Sequence, residues 1–248
     1  LSCMMSEFDV APIATRRNIR QGTEVLKYGS IIYAKKDRDD INDIQDLRGK
    51  RLVASTITGT GACQIPWKEL ENNGISMMMD SSQVLFAGGL QAVADAVRDG
   101  HGDVGFGTMT VFDSIVNHSW SDYKIINQKE GLLSEDGSPF PFTLSTDLYP
   151  EWTIGASPWV EPEMVQAVAA AFTSNPSHPA MAQYNLAGFA PPASQTVTRN
   201  LQISIGTMRW DPVKFRHTCL RATDLYNAIT CPPGSFKLSE DDVAGGCA

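Results

Sequence analysis

An α/β fold is predicted by three features of this sequence. Short apolar runs alternate with helix-period segments from residue 28 to residue 127, glycine or Asx turns separate them, and helical segments dominate beyond residue 160. Such alternation favours a largely parallel sheet with helices on its faces.

Residues 28–36, YGSIIYAKK, form a buried strand bounded by Gly29 and a charge run. A solvated turn at 37–42 leads through 44–47 and the Gly49-Lys50 turn to a second strand at 51–54. The loop STITGTG at 55–61 precedes a helix at 62–72, which Asn73-Gly74 stops. Residues 84–86 are a short strand, and 90–98 a helix with Leu90, Val93, Ala94 and Val97 on one face. A strand at 103–106, a helix at 111–116 and a strand at 123–127 complete the alternation.

A Gly/Ser/Pro-rich loop spans 131–142. Strands are expected at 143–146 and 153–157, on either side of Tyr149-Pro150-Glu151-Trp152. Helices are expected at 164–173, at 180–186 with Gly188 as its stop, at 196–201 and across 212–226. Met77-Met78-Met79 fits a flexible buried strand better than a soft-metal box, whose ligands are spaced.

Composition narrows the function. The chain has 248 residues, 42% hydrophobic and 19% charged, enough apolar material for a true core. No run approaches the ~20 apolar residues of a membrane-spanning helix. The net charge of −8 and the lack of a Lys/Arg cluster beyond Arg16-Arg17 and Lys35-Lys36 argue against nucleic acid as a partner. No metal or cofactor is expected: the Walker and dinucleotide patterns fail at 55–64, and GxSxG and HExxH are absent. His101, His118, His178 and His217 read as surface residues, and Asp39-Asp40 and Glu240-Asp241-Asp242 as solvated charge runs. No nucleophile–base pair is visible, so the chain is not expected to be an enzyme.

The five cysteines are Cys3, Cys63, Cys219, Cys231 and Cys247, without CxxC spacing. The tail CPPGSF at 231–236, closing on Gly245-Gly246-Cys247, resembles the start of ephrin-receptor-like extracellular repeats. It reads either as that or as a loop with two incidental cysteines. An odd cysteine count, a start on Leu1 and an end on Cys247-Ala248 predict an excised part of a longer protein. With the sequon Asn117-His118-Ser119, the cysteines lean extracytoplasmic.

The loop 55–61 carries the most chemistry. Its glycines expose N–H groups, its hydroxyls add donors, and a helix start places a positive dipole end there. It reads either as an oxyanion cradle or as an ordinary capped helix. The aromatics of Tyr149-Pro150-Glu151-Trp152 either line a cleft or pack a turn.

Taken in order, these segments resemble the type II periplasmic solute-binding proteins of the phosphate/phosphonate class. The motifs are Tyr28 to Lys36 followed by Asp46-Leu47-Arg48-Gly49-Lys50-Arg51; Thr58-Gly59-Thr60-Gly61 in place of an S-T-S-G cradle; Gln91-Ala92-Val93 through Asp103-Val104-Gly105; and Ser145-Thr146 with Leu148-Tyr149-Pro150-Glu151-Trp152. The last is similar to the sensor-ectodomain branch, found in membrane receptors such as histidine kinases, and residues 164–173, Gly188-Phe189 and Pro191-Pro192 fit the same branch.

The resemblance starts near Tyr28 and runs to about Gln195. It implies two α/β lobes joined by hinge strands, with a ligand between them. The first lobe is expected to be incomplete at its N-terminus, because no match to the family's opening β–α–β unit is found. The implied layout is a partial first lobe and hinge strand at 1–46, a second lobe at 47–142, a return to the first at 143–215, and an extension at 216–248. Thr58, Gly59, Thr60 and Gly61 would bind the oxyanion, with Tyr28, Thr108, Thr110, Ser145, Thr146 and Tyr149 near the cleft or hinge. Leu90, after Gly88-Gly89, stands where the family often has histidine, and two threonines replace the fuller set of cradle hydroxyls.

The expected function is an extracytoplasmic, membrane-anchored sensor domain. It would bind a small anionic solute (phosphate, phosphonate or another oxyanion) and adjoin a membrane receptor or transporter. The alternatives are the solute-binding component of an ABC importer and a degenerate domain kept for protein contacts.

Overall fold

The computed structural model describes residues 1–114, 119–174, 179–228, 237–238 and 246–247. In chain order the elements are α1 (Ser2–Phe8), β1 (Ala11–Arg20), β2 (Thr23–Val25), β3 (Lys27–Tyr28), β4 (Ser30–Lys35), β5 (Arg51–Ala54), α2 (Ile65–Asn72), β6 (Gln83–Phe86), α3 (Leu90–Arg98), β7 (Val104–Thr108), α4 (Val111–Ser114) and β8 (Tyr123–Ile126). The chain continues through β9 (Tyr149–Pro150), β10 (Thr153–Ala156), α5 (Pro162–Ser174), α6 (Pro179–Gln183), β11 (Leu186–Ala190), α7 (Thr196–Ser204), β12 (Met208–Asp211), β13 (Arg216–Cys219), α8 (Ala222–Ala228), β14 (Lys237–Leu238) and β15 (Gly246–Cys247).

The chain divides into two compact units, one of residues 1–28, 131–141 and 148–219, the other of residues 29–130, 142–147 and 220–248. The first boundary falls at 28/29, where the sequence placed it at 46/47, because β4 is an inner strand of the second unit's sheet. Residues 220–248, expected as a separate extension from 216, group with that unit too, and Leu225 joins its core.

The second unit holds a five-stranded sheet in the order β6-β5-β7-β4-β8. Ser30 to Ala34 are all buried, so β4 reads as one apolar run, as a strand covered on both faces should. The expected largely parallel sheet is mixed. β5 runs parallel to β6 and β7, but β4 is antiparallel to β7 and β8. Apolar runs do not encode direction, and β4 enters the sheet from the opposite end. α3 buries Val93, Ala94 and Val97 of the face its spacing predicts, while Leu90 at its start is half-buried.

Close packing fixes β7. A Cβ on Gly105 would lie 2.4 Å from Tyr33 Cζ, inside the ring's van der Waals envelope. Tyr33 is itself fully buried and packs edge-on against Phe112 and Tyr123. Gly105→Ala is expected to destabilise this unit by about 2 kcal/mol, read as a lower urea midpoint. An unchanged midpoint would show that Tyr33 can move aside.

The first unit is built on β1, which runs antiparallel to β10, β11 and β2. β12 and β13 form a hairpin, and Cys3 in α1 is disulfide-bonded to Cys219 in β13. No strand is expected over residues 11–20, where Thr15, Arg16, Arg17, Asn18 and Arg20 interrupt the apolar pattern.

Other expectations are corrected. Residues 143–146 are not a strand, since side-chain hydroxyls replace the backbone ladder there. Met77-Met78-Met79 is a turn with Met77 and Met78 buried. Gly188 lies inside β11, so it stops no helix; α6 ends at Gln183, and Asn185 turns the chain with a φ of 52°. The helix expected over 212–226 is instead the end of the hairpin and then α8. Asp211 Oδ1 accepts from the N–H groups of Val213 and Lys214 and closes a turn. The helix expected at 62–72 is entered through a π-type turn, Thr60–Gln64, and becomes α-helical at Ile65. Asn117 and His118 of the sequon, His178 and the CPPGSF segment lie outside the described residues, as does the end of the helix expected at 111–116.

Candidate functional site

The site candidate lies in the second unit, at the carboxyl ends of its parallel strands. β5 ends at Ala54, β6 at Phe86 and β7 at Thr108. Each opens into a polar loop: STITGTG, Ala87-Gly88-Gly89 and Met109-Thr110. Carboxyl ends of parallel strands are where open α/β sheets place ligands, because helix starts converge there.

Local hydrogen bonds shape the first loop. Gly59 N–H donates to Thr56 O at 2.9 Å, Ser55 N–H to Ala62 O at 3.1 Å and Gln64 N–H to Gly59 O at 3.0 Å. The last is an i→i−5 bond, so the N–H groups of Thr60, Gly61 and Ala62 precede the first bond of the turn. Ala62 carries the kink, with φ −110° and ψ 23°. Gly59 is required by crowding, since a Cβ there would sit 2.7 Å from Ser55 Oγ and 3.1 Å from Thr56 O.

Two contacts join this loop to its neighbours. Gly88 N–H donates to Ser55 O at 2.7 Å, bringing in the start of α3. Ser30 Oγ donates to Gly61 O at 2.5 Å, bringing in the start of β4. Ser30 pairs with Thr108 across the ladder, and Met109 N–H donates to Gly29 O at 3.2 Å. Thr58 is exposed, Thr60 half-buried and Thr110 buried. None of the three loops contains Lys, Arg or His, so the donors they offer are backbone N–H groups and hydroxyls. Leu90 opens α3, and its cap Gly89 contributes no side chain.

Ser145 and Thr146 are buried and already engaged. Ile32 N–H donates to Ser145 Oγ at 2.8 Å, Ser145 Oγ donates to Ile126 O at 2.6 Å, and Ser30 N–H donates to Thr146 Oγ1 at 2.9 Å. Their hydroxyls hold β4 by its backbone at Ile32 and Ser30.

Tyr28 and Tyr149 belong to the first unit and pair across β3 and β9. Burial pushes the Tyr28 phenol well above its ordinary range, and the Glu151 carboxylate and Tyr149 add to this against Arg20, so Tyr28 offers a neutral hydroxyl. Glu151 is buried and accepts from Arg20 Nη2 at 2.8 Å. Arg16 lies 5.2 Å from the ring centroid of the exposed Trp152. Of the two readings of Tyr149-Pro150-Glu151-Trp152, packing accounts for Tyr149 and Glu151.

Cys63, in the same turn as the loop, is fully buried. Burial pushes its thiol up, so it supplies no thiolate. Among the described residues no group of three His, Cys, Asp or Glu side chains could hold a metal ion.

Sequence reading missed Ser30 and Gly88. Ser30 is the polar head of an apolar run, and Gly88 precedes a helix start, but neither signal says which loop it touches.

Residues 4–197 match the family of periplasmic substrate-binding proteins of phosphonate ABC transporters. The chain belongs to that family. The match begins well before Tyr28, where the sequence motifs begin, and takes in most of α1 and all of β1. Its fold resembles that of a Xanthomonas citri protein solved with ATP, at 19% identity over 78% of this chain and 69% of that one, with a TM-score of 0.58. PhnD1 from Prochlorococcus marinus, solved with methylphosphonate, matches at 13% identity, 82% and 73% coverage and a TM-score of 0.57. The binding component of a phosphonate ABC transporter from Pseudomonas aeruginosa matches at 13% identity, 79% and 62% coverage and a TM-score of 0.57. No curated protein matches this sequence.

Membership makes this a phosphonate-family substrate-binding chain with a type II periplasmic-binding-protein fold, in a family of binding proteins and not of enzymes. The family is periplasmic, and no helix among the described residues is long and apolar enough to cross a membrane.

Proposed function

We propose that this chain is the solute-binding component of an importer and takes a small phosphonate-type oxyanion on the loop 58–61. The observation that carries the reading is the convergence of Thr60, Gly61 and Ala62 N–H groups, the Thr60 hydroxyl and the start of α3 at the carboxyl ends of β5, β6 and β7. Helix-start N–H groups stabilise an oxyanion without a side-chain cation. Thr108 and Thr110, at the end of β7 in the same unit, would add hydroxyls beside it.

Calorimetry with methylphosphonate, phosphate, sulfate and ATP tests this. Methylphosphonate or phosphate is expected to bind, and Thr60→Val to weaken that ligand about tenfold by removing a hydrogen bond to a charged group. If none of the four binds, the cradle reading fails.

The sensor-ectodomain reading shares the ligand and differs in the partner. It is favoured by Leu148-Tyr149-Pro150-Glu151-Trp152, which resembles that branch. Ligand-dependent co-purification with an importer permease supports the first reading. Ligand-dependent change in a receptor kinase's activity supports the second.

A further inference from the structure

We infer that Glu69 is a positioning residue for the cradle turn, an inference that rests on the oxyanion reading above. α2 continues directly from the turn Thr60–Gln64, so the direction of the cradle N–H groups depends on how α2 is held.

Glu69 holds it. The residue is 2% exposed, and its Oε1 accepts from Lys129 Nζ at 2.9 Å, from Asn127 Nδ2 at 2.9 Å and from Asn73 Nδ2 at 3.0 Å. A carboxylate taken out of water needs such partners, and these supply one full charge and two amide donors. Lys129 and Asn127 lie outside α2, just beyond β8. Asn127 sits at φ 57°, a conformation asparagine enters more readily than most residues, and this turns the chain beside the helix.

The same two residues reach the segment that clamps β4. Asn127 Nδ2 also donates to Ser145 O at 2.9 Å, and Lys129 N–H donates to Leu144 O at 2.8 Å. Ser145 and Thr146 bind the backbone of Ile32 and Ser30, and Ser30 Oγ returns to Gly61 O. The connections form a closed circuit: Gly61, Ser30, Ser145-Thr146, Asn127, Glu69 and back through α2. The cradle turn is thus gripped at Gly61 from β4 and at its far end through Glu69. The first grip is on a carbonyl of the proposed cradle, the second lies outside it, and both restrict the turn that presents the donors.

The test compares Glu69→Gln and Asn127→Ala with the parent chain. Two quantities are read well below the melting temperature: affinity for methylphosphonate or phosphate, whichever the parent binds, and exchange of the Gln64 and Ile65 amides, which close the π-type turn onto Gly59 O and Thr60 O. A tenfold weaker ligand affinity is expected, together with at least tenfold faster exchange at Gln64 and Ile65 and unchanged protection in β5 and β7. Affinity within twofold of the parent would overturn the inference, as would faster exchange spread evenly over the unit, because that pattern is lost stability alone. Should Glu69→Gln fail to fold, Asn127→Ala gives the same readouts with the Lys129 pair intact. If the parent binds no oxyanion, the functional reading fails by itself, while local exchange at Gln64 and Ile65 still decides whether Glu69 holds the turn.

Discussion

Replacing Cys3 and Cys219 together with serine will lower the melting temperature of the first unit by on the order of 15 °C. The bond joins residues 216 positions apart. In the chain-entropy account a loop of that length is worth about 5 kcal/mol, and measured losses for native disulfides run about 2–5 kcal/mol. At this size each kcal/mol moves the midpoint by about 4 °C. The bond also anchors a set of weaker contacts. Ser2 Oγ donates to Gln202 Oε1, Ser6 Oγ to the His217 carbonyl at 2.7 Å, and Arg216 Nη1 to Asp9 Oδ2 at 2.9 Å. Without the covalent tie, α1 should fray first, then β13. Hydrogen exchange will show this as lost protection in 2–8 and 216–219 before any loss in β5 or β7. A melting temperature within about 3 °C of the parent, with and without reductant, would show that those contacts suffice alone. A disulfide of this kind suits the periplasm, where the family works.

Asp103→Asn will have the next largest effect, and it will change the acid limb of stability. Asp103 is 9% exposed and accepts from Arg38 Nη1 at 2.6 Å, from Arg51 Nη2 at 2.9 Å and from the Arg51 backbone N–H at 2.9 Å. Burial by itself would raise its pKa. The hydrogen bonds from Arg51 and Arg38 outweigh burial and hold the carboxyl well below the ordinary carboxylate range. Because the folded pKa lies below the unfolded value of 3.8, the contribution is complete above about pH 5. It is lost progressively as pH falls below about 4.

Removing the charge leaves two guanidinium groups facing one neutral amide. Both arginine side chains are about one-third exposed and can rehydrate, so the loss should be about 2–3 kcal/mol, less than for a fully buried pair. Urea unfolding from pH 3 to 8 should show a parent curve that falls steeply below pH 4 and a flatter, lower curve for the variant. Parallel curves would place the acid sensitivity elsewhere.

Some of this molecule could be read directly from its sequence. The apolar runs of β4, β5 and β6 and the one-sided face of α3 announce themselves, because strand and helix periods are local. The glycine- and threonine-rich loop after β5 announces donors near a helix start for the same reason. Family membership was visible in ordered motifs such as Asp46-Leu47-Arg48-Gly49-Lys50 and Asp103-Val104-Gly105.

Other features were hidden because they depend on partners distant in the chain. β1 carries Arg17 and Arg20, which look wrong for an inner strand until Glu24 and Glu151 pair with them. The hairpin of β12 and β13 has helix-like spacing, and only the Asp211 turn and the φ of 51° at Phe215 reveal it.

By itself, then, the sequence determined where apolar strands and amphipathic helices form, where the donor-rich loop lies and which family the chain belongs to. The elements and the loop rest on residues within a few positions of one another, and the family on the order of such local motifs along the chain. Only the tertiary structure decided the direction of β4, the pairing of Cys3 with Cys219, the turning of Ser145 and Thr146 away from solvent to hold β4, and the circuit that ties Glu69 to the cradle. Each of these joins groups tens to hundreds of residues apart, and burial rather than local preference selects which of the possible partners meet.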